Sequence, residues 1–183
     1  VLSYFWTLKN FPLKKYHFLY LLFFAFLSFS CSKKKLDLNS KENDSLSIYF
    51  DISNDDASTY EKRMEATEKA LRIISSQEND SIYRANLFKV ANRYYNMSDW
   101  KSYLKTTKLI LERAQASKDS VHMAKAYTYL GDYYLSQSIS DSAFMNYFKA
   151  EKAYLKLNDE LNLAKTFLNK ASLQYNEGDF FES

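Results

Sequence analysis

The stretch Ala124-Lys-Ala-Tyr127-Thr-Tyr-Leu130-Gly131-Asp-Tyr-Tyr134, followed after a short polar break by Asp141-Ser-Ala143-Phe-Met-Asn-Tyr147-Phe-Lys-Ala150, decides the fold. Tyr127, Leu130 and Tyr134 recur at steps of three and four, the period of one helix face, and Ala143, Tyr147 and Ala150 do the same in the second half. Small residues at Gly131, Ala143 and Ala150 let two such helices approach closely, while Tyr127, Leu130, Tyr134 and Tyr147 fill the space around them. Neither helix buries its apolar face alone.

The pattern repeats. A polar break over Gln77-Glu-Asn-Asp-Ser81 returns as Ser117-Lys-Asp-Ser120 and as Asn158-Asp-Glu160, so that Asp80, Asp119 and Asp159 lie 39 and 40 residues apart. A period in this range predicts an all-α, antiparallel helix-hairpin solenoid, in which each unit shelters the apolar flank of the next. Before the first break, Ser58-x-x-Glu61 predicts a capped helix with Tyr60, Met64, Thr67, Leu71 and Ile74 on one face. Laid over one another from Ala85, Ala124 and Ala164, the first unit offers Phe88, Ala91, Asn92, Tyr95 and Leu104. The third offers Phe167, Ala171 and Ser183, with Lys170 and Gln174 at places that want apolar residues, and a one-residue shift of register there would bring in Tyr175.

Tyr127, Leu130, Gly131, Tyr134, Ala143, Tyr147 and Ala150 occupy the seven signature places of the tetratricopeptide repeat, and residues 59–183 resemble about two and a half such units. The familiar unit is about 34 residues long. Units five or six residues longer imply helices extended by more than a turn.

The first thirty residues carry Lys9, Lys14 and Lys15, no acid, and an apolar run from Phe18 to Phe29, a secretory leader layout. Leu27-Ser-Phe-Ser-Cys31 resembles the lipobox of bacterial lipoproteins, which implies a leader over 1–30, acylation of Cys31 and a polar tether over 31–58. Within that tether, the apolar cluster Leu46-Ser-Ile-Tyr-Phe50 is suited to dock as a short helix or as a short strand. The resemblance further implies a lipid-anchored, periplasm-facing location, and Ser32 after the cysteine favours the outer membrane. The chain ends where the second helix of a third unit is expected, so Leu163, Phe167, Phe180 and Phe181 are expected to be partly exposed and the sequence is taken as part of a longer protein.

Composition narrows the chemistry. Glycine occurs twice and proline once, which excludes strand-and-turn folds and glycine-rich phosphate loops. One cysteine and two histidines supply no zinc site, and Asp55-Asp56 lacks the further oxygens of a calcium loop. His122 is expected to cap or face solvent. No catalytic residue, cofactor or metal is predicted. The leader's lysines account for the whole net charge of +3, and elsewhere both signs are interspersed, so no nucleic-acid surface is expected. Lys33-Lys-Lys35 is expected to be a solvated start to the tether.

Function is therefore sought in binding. The tetratricopeptide resemblance places Asn86, Lys89, Arg93 and Asn96 of the first unit, Lys125, Thr128 and Asp132 of the second, and Lys165, Leu168 and Ser172 of the third along a peptide-receiving groove. Lys89, Arg93 and Lys125 would form a positive wall for an acidic partner. Some members clamp a terminal carboxylate with an asparagine at the place held here by Arg93, Asp132 and Ser172. The expected function is a non-enzymatic protein- or peptide-binding scaffold, or the sensing portion of a longer signalling chain. The alternative is a carbohydrate-binding lipoprotein, which requires an exposed coplanar pair of aromatic rings.

Overall fold

The polar breaks become turns of one kind. The computed structural model describes residues 44–176, which form α1 (residues 44–54), α2 (Tyr60–Ser75), α3 (Ser81–Asn96), α4 (Trp100–Ala116), α5 (Ser120–Ser136), α6 (Ser140–Leu157) and α7 (Glu160–Asn176). No strand occurs among the described residues. From Leu46 onward these helices belong to one unit.

From α3 to α7 each turn passes through one residue in the left-handed region: Ser98, Lys118, Ser138 and Asn158, 20 residues apart, with φ between 54° and 58°. The amide after each bonds back to the carbonyl five residues earlier, as from Asp119 to Ala114 at 2.8 Å and from Ile139 to Tyr134 at 2.9 Å. This closes the spent helix with a Schellman-type end. The next helix then starts at once. The carboxylates of Asp80, Asp99, Asp119 and Asp159 accept from the amides of Tyr83, Ser102, His122 and Asn162 at 2.7–3.1 Å. Each cap satisfies an amide with no partner in its own helix. Ile139 alone in this series makes no side-chain cap. At α2 the cap is Thr59 rather than Ser58, whose hydroxyl donates to Asp55 at 2.8 Å instead.

The extensive helix contacts are all between consecutive helices, α2 with α3 through α6 with α7, the linear order of a solenoid. Helices of 16 to 18 residues account for the long unit. The turn residues Ser98 and Ser138 match at a spacing of 40, so Arg84, Leu87, Val90, Ala91 and Tyr94 are the equivalents of Ala124, Tyr127, Leu130, Gly131 and Tyr134. The spacing of 39 at Asp80 and Asp119 arises because α3 is one residue shorter at its start. The first unit is thus shifted by one from the alignment on Ala85. Leu87, Val90 and Ala91 are fully buried, whereas Asn92 and Tyr95 face outward.

The two complete hairpins fill the same space differently. In α5–α6, Gly131 faces the ring of Tyr147 and Ala143 is small; in α3–α4 the equivalents of Tyr147 and Ala143 are Thr107 and Tyr103, so the large buried ring comes one turn earlier. Both rings are buried, so the volume is conserved while its donor moves.

Of the two alternatives for the short apolar cluster within the polar segment, the helix is the one formed: the cluster lies on α1, and its Leu46 and Phe50 are buried in the same cluster as Ala70, Ile74, Leu87 and Tyr103. Lys170, at the place of Leu130, needs no shift of register. It pairs with Glu151 at 2.6 Å, both side chains mostly buried, and its ammonium lies over Phe144 and Phe148. At α7, Phe167 is 48% and Leu168 69% exposed. Phe180 and Phe181 lie outside the described residues.

Candidate functional site

The odd-numbered helices present the expected groove residues, and the structure divides them into three groups. Of the second-unit group, Lys125 lies between α3 and α5, whereas Thr128 and Asp132 meet side chains of α6. The ammonium of Lys125 sits 4.5 Å from the centre of the Phe88 ring and 5.8 Å from that of Tyr129. Burial pulls the Lys125 pKa below the usual lysine range. Tyr129 in turn meets Phe88 edge to face and donates its hydroxyl to Asn92 at 2.7 Å. Thr128 hydrogen-bonds its own helix at Ala124 and lies 3.4 Å from the Tyr154 hydroxyl.

Asp132 lies deeper, accepting from the Tyr147 hydroxyl at 2.8 Å. Burial raises its pKa to about 6, and the Tyr147 hydrogen bond only partly offsets this. Its negative charge, after burial itself, helps hold the Tyr103 and Tyr147 hydroxyls above the usual phenol range, and burial raises Tyr129 to about 12. Tyr103 donates to the carbonyl of Tyr129 at 3.0 Å. The α3–α5 seam is therefore a row of rings whose polar ends are tied down, with a cation at one end and a half-buried acid at the other.

The first-unit group turns toward α1. Lys89 lies 5.1 Å from the ring centre of Phe50, and Arg93 donates from Nε to the Ser53 hydroxyl at 3.2 Å. Asn86 is buried and Asn96 exposed. The one-residue shift explains the division: the equivalents of Lys125, Thr128 and Asp132 are Ala85, Phe88 and Asn92. Lys89, Arg93 and Lys125 thus occupy two adjoining seams rather than one wall. The third group, Lys165, Leu168 and Ser172, is exposed on α7.

None of Lys89, Arg93 and Lys125 has a carboxylate within ion-pair distance among the described residues. The aromatic rings Phe88 and Tyr129, which meet across the seam, are missing from the sequence-derived groove. The signal that finds them is the 40-residue spacing of the turn residues. Among the described residues two pairs of rings are stacked, Phe88 with His122 and Tyr103 with Tyr129, but Phe88 and Tyr103 are each 1% exposed. Neither pair offers a sugar two open faces.

His122 joins the cap of α5: its Nδ1 lies 2.5 Å from the Asp119 carboxylate, which also receives Arg84. Among the described residues no cluster of three His, Cys, Asp or Glu could hold a metal ion, and no helix is long and apolar enough to cross a membrane. The leader, Lys33-Lys-Lys35 and Cys31 lie outside the described residues. No protein-family model, curated protein or solved structure matches the chain.

Proposed function

We propose that the chain is a non-enzymatic scaffold of the tetratricopeptide type that binds an acidic segment of another protein along its odd-numbered helices, alone or as the sensing portion of a longer chain. The observation that carries this is the set of three cations, Lys89, Arg93 and Lys125, left without carboxylates beside rings and hydrogen-bonding groups. Cations held over aromatic faces keep their charge available to a partner while their stems pack. The corrected alignment also sets Asn92 at the helix position where related repeats use an asparagine to grip a carboxylate.

Binding to an immobilised library of extended peptides tests this. Acidic peptides should be retained over neutral and basic ones, and reversing Lys89 and Lys125 to Glu together should weaken retention by about tenfold or more. Retention without charge preference, or unchanged by the reversal, removes the proposal. Anchoring at the cell envelope through Cys31 belongs to the same reading and rests on the lipobox resemblance. Incorporation of a labelled fatty acid should disappear in Cys31→Ser, and persistent labelling rules out that anchor.

A further inference from the structure

At the C-terminal end of α1 two guanidinium groups converge on one serine. Arg93 of α3 donates from Nε to the Ser53 hydroxyl at 3.2 Å, and Arg63 of α2 donates from Nε to the Ser53 carbonyl at 3.3 Å. Ser53 is fully buried, and its hydroxyl donates to the carbonyl of Phe50 at 3.0 Å, which fixes where its lone pairs point. Lys89 stands one turn before Arg93, over the Phe50 ring.

Little opposes these charges. Asp56 meets Arg63 at 3.2 Å, but its side chain is 92% exposed and its charge is screened by water. The carbonyl end of α1 supplies partial negative charge and takes one Nε–H. The Nη groups of Arg93 have no acceptor among the described residues. Burial, and then the nearby charge of Arg63, press the Arg93 pKa down, and the exposed Asp56 carboxylate opposes this only in part. A planar guanidinium presents parallel N–H groups at the spacing of two oxygens on one carbon or phosphorus.

We infer that Arg63 and Arg93, both anchored on Ser53 at the end of α1, form an oxyanion site whose guanidinium groups receive a carboxylate or phosphate group, with Lys89 at its edge. The site rests on the binding-face reading only in that the anion would be carried by the same partner. Free anions test it separately.

The full chain is titrated with inorganic phosphate and, separately, with glutarate, at ionic strength matched by chloride, while the arginine Nε–Hε signals are followed by NMR. The Arg63 and Arg93 signals should move along saturating curves with dissociation constants of about 1–10 mM. Arg93→Gln should weaken saturation at least about tenfold, and Arg63→Gln serves as the second variant should the first lose its dispersed spectrum. Lys125→Glu, which lies outside this site on the Phe88 and Tyr129 rings, should leave the Arg63 signal responsive to the anion while weakening peptide retention, which separates the two. Saturation by phosphate alone assigns a phosphoryl ligand, and by glutarate alone a carboxylate. A linear drift shared by chloride and by both arginine variants overturns the site and leaves the two arginines as caps of α1.

Discussion

Gly131 shows how little freedom a single position has here. A Cβ built on it would overlap Cε1 and Cδ1 of the Tyr147 ring, which is fully buried and tethered by its hydroxyl to Asp132. The ring cannot swing away without abandoning that hydrogen bond, so Gly131→Ala should destabilise the protein by about 1–3 kcal/mol in urea unfolding despite the better helix propensity of alanine. An unchanged or raised midpoint would contradict the packing described. Ala91, the equivalent position in the preceding hairpin, keeps its methyl because Thr107 stands where Tyr147 would be. That relief has a cost: the Thr107 hydroxyl is buried with no hydrogen-bond partner among the described residues. The Gly131–Tyr147 pairing was legible in the sequence, since both fall on the repeat pattern. The Ala91–Thr107 pairing was not, because the transfer of the large ring to Tyr103 leaves a pattern with no aromatic at the expected place.

Between elements, the joint from α3 to α5 is carried by a buried charge cluster. Arg84, 6% exposed at its side chain, meets Asp119 through Nε at 3.1 Å and Nη2 at 2.8 Å and also reaches Asn79. Asn79 donates in turn to the carbonyl of Arg113, so the turn before α3 is tied to the end of α4. Although burial raises the Asp119 pKa, hydrogen bonds from the His122 side chain and amide and from Arg84 hold it down at about 2. A carboxyl depressed from 3.8 contributes stability that is fully present above about pH 4 and is lost as pH falls through 2. Asp119→Asn should therefore lower stability at neutral pH and flatten its dependence between about pH 4 and 2. Asp119→Ala, which strands Arg84 and uncaps α5, should cost about 3 kcal/mol or more. A double-mutant cycle with Arg84→Met should show a coupling of about 1–3 kcal/mol; additive effects would show that the cluster does not join the two helices. Asp119 was visible in the sequence as part of a recurring break. Its partner was not, since Arg84 occupies a place where the other units have alanine and ordinary spacing rules find no charge.

For the whole molecule, the apolar period and the recurring polar break were enough to set helix type, helix order and a unit of 39–40 residues, because these depend on which residues lie three, four and about forty places apart along one chain. The carboxylates at the breaks mark the helix starts by a local mechanism, a side chain satisfying an amide three residues on, and local mechanisms are written in adjacent letters. Three further matters belonged to the tertiary structure. The choice of helix rather than strand for α1 depends on Leu46 and Phe50 meeting α2 and α3 in space, a long-range burial that a five-residue apolar cluster does not settle by itself. The one-residue shift of α3 depends on where its C-terminal turn lies, and it moves Lys89 and Arg93 to the seam with α1 while placing Phe88 and Asn92 against Tyr129 of α5. The satisfaction of Lys170 depends on Glu151 from the neighbouring helix. Sequence alone determined the periodic, nearest-neighbour architecture; only the packed helices decided which side chains share a seam, because one residue on a helix turns a side chain through about 100° and so selects its partners.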